Sequence, residues 1–342
     1  MKAVFFDKHG GPDVLRYGDF DDPEPGPGEV LIDVKASSLN HLDLFVRRGL
    51  PGVQLPHITG SDAAGTVAAT GEGVIDLRRG ERVLVLPTLS CGKCEYCSRG
   101  DASLCRAFRI LGEHVQGSCC EKVVVPAANA VAIPESLSFV EAAAVPLVFV
   151  TAWRMLVRRG RLRAGEDVLI LGGAAGVGTA CIQIAKVAGA RVIACASSAA
   201  KLDLCKELGA DVLIDYTRED FVKRVREETG KRGVDVCVDY VGKDTWVKSL
   251  QSLTRGGRLL TCGATTGYDP ATDLRQIFFK QLEVIGSTMG SKDDLLAALD
   301  LIRAGRMRPV VGAVVDLERT ADAHRMMEAR SSLGKLVIRI AD

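Results

Sequence analysis

Apolar and polar residues alternate in Glu29-Val30-Leu31-Ile32-Asp33-Val34, the period of a strand with one buried face. Asp62 to Val67, Glu81 to Leu86 and Glu121-Lys122-Val123-Val124-Val125-Pro126 are further strand candidates. Ahead of the first lies Pro23-Glu24-Pro25-Gly26-Pro27-Gly28, where three prolines and two glycines cannot support a helix. Many short strands at this spacing over the first 130 residues predict a small barrel.

The pattern changes near residue 137. Ser138 with Glu141 resembles a capping box, and an Ala-rich helix is expected after it. From Asp167 strand and helix alternate. Val168–Leu171, Val192–Ala196, Val212–Ile214, Val234–Val238, Arg258–Cys262 and Val284–Ser287 read as strands, and Thr179–Ala188 and Ala199–Leu208 as helices. Short apolar strands without a polar face, alternating with helices, predict a parallel sheet covered on both sides. Helices over Asp293–Arg303 and Thr320–Glu328 and a strand over Lys335–Ile340 complete the expected elements.

The balance of 44 Lys and Arg against 43 Asp and Glu argues against wholesale binding of nucleic acid or a membrane surface, though not against a local basic pocket. Hydrophobic residues at 47% and charged residues at 25% exclude a disordered chain. The longest apolar run, Ala142 to Ala152, contains Pro146 and falls short of the ~18 residues of a membrane helix. The first residues reach Asp7 after a short apolar stretch, which is not the pattern of a signal peptide. A cytoplasmic protein is expected, and its eleven cysteines should form few or no disulfides.

Gly172-Gly173-Ala174-Ala175-Gly176-Val177-Gly178 follows one strand and opens a helix. Glycines suit a tight turn where a pyrophosphate approaches backbone amides at a helix N-terminus. Gly173, Ala174, Gly176, Val177 and Gly178 are therefore candidates for a dinucleotide site, with Tyr216 and Gly263 assigned to the same site. An acid about 20 residues after such glycines selects NAD by binding the ribose 2′-hydroxyl. Here Ala194 to Lys201 holds no acid, while Ser197, Ser198 and Lys201 offer hydrogen bonds and charge, which favours NADPH over NADH. The plainer alternative makes one serine a helix cap and Lys201 a solvated side chain.

Cys91, Cys94, Cys97 and Cys105 have the spacing C-x2-C-x2-C-x7-C. Four thiolates satisfy tetrahedral Zn²⁺ with no open position, so this metal is expected to be structural. Spacing alone leaves an iron–sulfur centre open.

A strand-rich first part, a four-cysteine lobe and a Gly-rich α/β part together resemble the medium-chain dehydrogenase/reductase superfamily, the group of zinc alcohol dehydrogenases and quinone oxidoreductases. The resemblance covers essentially the whole chain. It implies an α/β protein with a GroES-like β-barrel catalytic domain over 1–148, a doubly wound Rossmann domain over 149–290, and a segment over 291–342 that returns to the catalytic domain. The ligand positions of a catalytic zinc fall on Asn40, on Gly60-Ser61-Asp62 and on Leu147, and the proton-relay hydroxyl falls on Leu42. Only Asp62 keeps a metal-binding group. Asn40-x-x-Asp43 is instead similar to the N-x-x-D of quinone and enoyl reductases, and Val145 to Trp153 to their L-P-x-x-x-x-T-A-Y segment.

The resemblance implies an NADPH-dependent reductase of the C=C bond of a small α,β-unsaturated carbonyl compound: a quinone, an enone or an enoyl-CoA thioester. Asn40 is expected to orient the cofactor or donate to substrate, Asp43 to anchor the loop, Thr151 to lie beside the nicotinamide, and His41 to be a weak candidate for the acid. Arg47, Arg48, Arg106 and Arg109 are candidates for contacting a thioester's phosphates, with solvated surface as the alternative. Cys119 and Cys120 read as buried spectators. One rival is an alcohol dehydrogenase with a rearranged catalytic zinc on His41, His57 and Asp62; another is a non-catalytic nucleotide-binding protein. A homodimer or homotetramer is expected, joined at or beside the strand in Leu282 to Thr288.

Overall fold

The computed structural model describes residues 1–341. In chain order it begins with β1 (Lys2–Phe6), β2 (Arg16–Asp19), β3 (Glu29–Ser38), α1 (His41–Gly49), β4 (His57–Ile58), β5 (Asp62–Thr70), β6 (Arg82–Val85), β7 (Thr88–Leu89), β8 (Arg109–Ile110), β9 (Lys122–Pro126), β10 (Ala130–Ala132), α2 (Phe139–Ala143) and α3 (Pro146–Trp153). Next come β11 (Asp167–Ile170), α4 (Gly176–Val187), β12 (Arg191–Ala196), α5 (Ala199–Glu207), β13 (Val212–Asp215), α6 (Phe221–Glu228), β14 (Val234–Val238), α7 (Trp246–Ser252), β15 (Leu253–Thr261), α8 (Leu274–Lys280) and β16 (Glu283–Gly286). The last elements are α9 (Lys292–Arg303), β17 (Val311–Asp316), α10 (Thr320–Glu328) and β18 (Lys335–Arg339). The chain forms two compact units. One holds Met1–Val148, Gly290–Arg303 and the chain from Arg308 onward; the other holds Phe149–Met289 and Ala304–Met307.

The first unit is built around β3, whose alternating pattern buries Val30, Ile32 and Val34 against Val67, Val83, Val123 and Val125. The main sheet runs β10-β6-β5-β3-β18-β17, with β9 also paired to β3, and a smaller sheet runs β2-β1-β4. The sequence pattern places only strands in this part, yet α1 interrupts them. Its start is fixed by a capping box between Asn40 and Asp43, a device legible only once the helix is known to be there. At α2 the capping box is formed as well: Ser138 Oγ accepts from the Glu141 amide at 3.2 Å and Glu141 accepts from the Ser138 amide at 3.0 Å.

The second unit is a six-stranded parallel sheet in the order β13-β12-β11-β14-β15-β16. Leu169, Ile193, Ile214, Cys237 and Leu259 are fully buried within it. The strand order reverses between β11 and β14, so loops at the carboxyl ends of these strands border a switch point, the place where open α/β sheets bind ligands. The glycine turn joins β11 to α4 there. All eleven cysteines of the protein are free thiols.

Candidate active site

In the first unit a group of polar side chains is buried together. Asp62 is fully buried at the head of β5. Its Oδ1 accepts from the Leu147 amide at 2.7 Å, and its Oδ2 accepts from Ser38 Oγ, Asn40 Nδ2 and Lys335 Nζ, each at 2.9 Å. Lys335, the first residue of β18, also donates to the Leu39 carbonyl at 2.8 Å and to Asn40 Oδ1 at 2.5 Å. An ammonium has three N–H groups, and all three are taken. Asp43 ties the loop together. Its Oδ2 accepts from the Asn40 amide at 2.6 Å and its Oδ1 from the Gly60 amide at 2.8 Å, so one carboxylate joins the start of α1 to the segment that leads into β5. Desolvation pushes the Asp43 carboxyl up to about 6, against the pull of these two amides.

Of the other residues expected here, His41 stands exposed on the first turn of α1. Partial desolvation and the cations Arg330, Lys335 and Arg48 hold its pKa below the ordinary histidine value. His57 is buried, with Nε2 against the Gly112 carbonyl at 3.1 Å, and burial lowers its pKa too. Among the described residues, His41, His57 and Asp62 do not converge as metal ligands. Asp62 is already saturated, and the fourth lone pair a metal needs is occupied by an ammonium. The Ser61 hydroxyl is fully buried and has no hydrogen-bond partner. Thr151, on α3, is buried with an unpartnered hydroxyl, and it belongs to the second unit.

Arg47 is a correction to the sequence reading. It is fully buried rather than placed at a pocket mouth, donating to the Gly10 carbonyl at 3.1 Å, facing His324 Nδ1 at 3.0 Å and pairing with Glu328. Arg48 shares Glu328, and Arg106 pairs with Glu95 at 2.7 Å. Cys119 and Cys120 are buried; desolvation pushes the Cys119 thiol up to about 12 and the Cys120 thiol higher still. Lys335 escaped the sequence reading. The one signal was a lysine after Gly334 at the head of the apolar run Leu336-Val337-Ile338.

The four cysteine sulfurs of the lobe lie within 4.8 Å of one another. Cys91 to Cys97 is 4.0 Å, Cys94 to Cys97 is 3.6 Å and Cys91 to Cys105 is 3.5 Å. Tetrahedral thiolates about 2.3 Å from zinc stand about 3.8 Å apart, so the donor set fits the ion. Backbone amides of Cys97 first and Arg106 next draw the Cys94 thiol down to about 6, favouring the ligating thiolate.

In the second unit the glycine turn is closely packed. Gly172 has φ +64°, its carbonyl accepts from Tyr240 Oη at 2.7 Å, and Gly173 donates to the Cys195 carbonyl at 2.9 Å. A Cβ on Gly178 would lie 2.3 Å from the Gly172 oxygen. The first amides of α4, at Gly176, Val177 and Gly178, lack intrahelical acceptors by geometry and the helix has no side-chain cap, a cradle that fits an anion. Ala174 is buried in the turn. At the carboxyl end of β12, Lys201 donates to Ser197 Oγ at 3.3 Å, and Ser198 is the N-cap of α5 without a side-chain cap bond. Tyr216 follows β13 and is exposed, its amide on the Ala196 carbonyl at 3.2 Å; Gly263 follows β15. Asp215, in register with Ala196, went unremarked in the sequence reading; its carboxylate is held by Thr217 and faces Arg218 at 3.6 Å.

These two units together define an oxidoreductase with a GroES-like and a Rossmann part. The model of the alcohol dehydrogenase GroES-like domain matches residues 26–135, and that of the zinc-binding dehydrogenase domain matches residues 176–304. The chain belongs to the medium-chain dehydrogenase/reductase superfamily. It is 32% identical over 343 residues to an acryloyl-coenzyme A reductase of Metallosphaera sedula, covering 99% of each chain. The crystal structure of an NAD-dependent alcohol dehydrogenase superposes with a TM-score of 0.96 at 45% identity over 100% of both chains. A crotonyl-CoA carboxylase/reductase, AntE, in complex with NADP gives 0.93 at 27% identity, covering 99% of this chain and 94% of that one.

Proposed function

We propose that the protein reduces the C=C bond of an α,β-unsaturated carbonyl compound with NADPH. The observation that carries this reading is the closed cluster around Asp62. The positions that the resemblance gives to catalytic-zinc ligands carry an amide, a hydroxyl and an alkyl group, and the Asp62 carboxylate is already engaged by Asn40 and Lys335, which supports hydrogen-bond donors rather than a Lewis acid as the partners of a carbonyl substrate. A bound nicotinamide would supply a hydride to the β-carbon and solvent water the proton to the α-carbon, with negative charge developing on the carbonyl oxygen in between. Donors aimed at that oxygen provide the main electrostatic stabilisation. Asn40 Nδ2 keeps one hydrogen beyond the bond to Asp62, and the Ser61 hydroxyl is unpartnered; both are donors of the required kind. Asp43 holds the Asn40 loop in place.

The turn from Gly173 to Gly178 would hold the pyrophosphate, and Ser197 with Lys201 the 2′-phosphate. Cys91, Cys94, Cys97 and Cys105 would hold one structural zinc. The relatives include an acryloyl-coenzyme A reductase and an NADP complex of a crotonyl-CoA carboxylase/reductase, which support the substrate and cofactor classes, and an NAD-dependent alcohol dehydrogenase, which supports the rival class. Eleven free thiols suit the reducing cytoplasm, and no described helix is long and apolar enough to cross a membrane.

NADPH oxidation against enones, quinones and enoyl-CoA thioesters, with zinc counted per chain, tests the reading. Turnover with one zinc supports it. Two zinc ions with alcohol oxidation, or tight NADPH binding with no turnover on any of them, overturns it. Ala196→Asp should shift preference towards NADH by setting a carboxylate against the 2′-phosphate; a parent enzyme that already prefers NADH refutes the cofactor assignment.

A further inference from the structure

Asn40 is held at both ends by groups that leave its carboxamide a single orientation. Lys335 only donates, so the atom it meets at 2.5 Å is Oδ1; the Asp62 carboxylate only accepts, so the atom at 2.9 Å is Nδ2. Turning the amide over would set N–H against N–H and oxygen against oxygen in a buried cluster. Lys335 and Asp62 are themselves locked, by the Leu39 carbonyl and by the Leu147 amide and Ser38 hydroxyl. Every group but one Asn40 N–H is spoken for. The ammonium has no hydrogen left to give a substrate, so it acts through Asn40.

We propose that Lys335 is the positioning residue of this site: from the far end of the chain it fixes the Asn40 amide so that one N–H remains available to a ligand. What that N–H does rests on the enone-reductase reading above; how it is held rests on the hydrogen bonds alone. The two fail separately in the following experiment.

The chain contains only two asparagines, Asn40 and Asn129, so labelling with ¹⁵N-asparagine yields two pairs of side-chain amide signals from the intact protein. Asn129 donates to the Leu86 and Thr88 carbonyls, away from Lys335, and serves as an internal gauge of folding. In Lys335→Met the Asn40 pair should shift and exchange with solvent faster, while the Asn129 pair stays. On an enone that the parent reduces, kcat should fall about 100-fold with KM for NADPH within about twofold, and Lys335→Arg should recover at least about tenfold. An unmoved Asn40 pair, or unchanged kcat in a folded variant, overturns the proposal. If the Asn129 pair is lost as well, Lys335→Met with Asp62→Asn removes both buried charges together. Loss of the Asn129 pair there too counts against the proposal, since Lys335 is then a stability residue only. A parent inactive on every unsaturated carbonyl removes the reading of function and leaves the spectroscopic result to decide how Asn40 is held.

Discussion

Asp43 shows how one side chain couples position to pH. Its carboxyl titrates at about 6 in the folded protein against 3.8 in the open chain, because burial disfavours the charge more than two amides favour it. Between those values the native state binds the extra proton. The stability that Asp43 adds is fully present below pH 3.8 and is lost as pH rises through about 6, by about 3 kcal/mol in all. Asp43→Asn has no such dependence. Urea unfolding of both proteins from acid to neutral pH should therefore show the parent losing about 3 kcal/mol relative to the variant; a difference that stays flat with pH refutes the assignment. At this scale the sequence is legible where partners are neighbours. Asn40 and Asp43 form one short motif, whereas Lys335 reaches Asn40 across 295 positions. No local pattern encodes that contact. Arg47 misleads for the same reason: a charge beside Arg48 reads as surface until His324 and Glu328 fold over it.

Elements were legible where their period or their punctuation is strong. Buried strands such as β12 and β14 are continuous apolar runs, and the glycines after β11 can only be a turn. Helix α6 was not, since it buries only Phe221 and Val225 among charged residues and owes its start to Asp220, which accepts from the Val222 and Lys223 amides. The glycine turn gives a sharp expectation. An added methyl in Gly178→Ala lies 2.3 Å from the Gly172 oxygen and 2.8 Å from Gly173 Cα, both backbone atoms, so the turn itself must move. Overpacking of this kind costs about 2 kcal/mol, and NADPH should bind roughly thirtyfold more weakly by fluorescence titration. An unchanged Kd would mean that the turn is not the cofactor site. The cysteine lobe has little apolar core of its own, with short 3-10 turns at Cys97–Arg99 and Ala102–Leu104. Its order should depend on the ion. Metal analysis of Cys94→Ser should show zinc lost and Tm lowered, because a closed thiolate site contributes folding energy; full zinc occupancy would falsify the four-thiolate assignment.

For the molecule as a whole, β16 is the edge strand of the six-stranded sheet. Beside it in sequence lies α8, with Leu274, Phe278 and Phe279 at 67%, 59% and 65% exposure, and on β16 itself Val284 at 42%. The two phenylalanine rings stand 4.5 Å apart, one apolar patch on the surface of a single unit. Large exposed apolar side chains next to an unpaired edge are an invitation to association, and natural edges that stay single are blunted by charge or proline. Here Glu283 with its partner Arg161, and Arg159 donating to the Gly286 carbonyl at 3.2 Å, bring charge to the strand. A second copy related by a twofold axis would cover both patches and both edges at once. The protein should therefore scatter light as a particle of at least twice 36.5 kDa at micromolar concentration. Phe278→Glu with Phe279→Glu sets two charges on each side of the proposed contact, facing their own copies across the axis, and should return the 36.5 kDa monomer with its zinc retained. A parent that is already monomeric rejects the dimer. A charged variant that stays dimeric moves the contact to another face of the sheet.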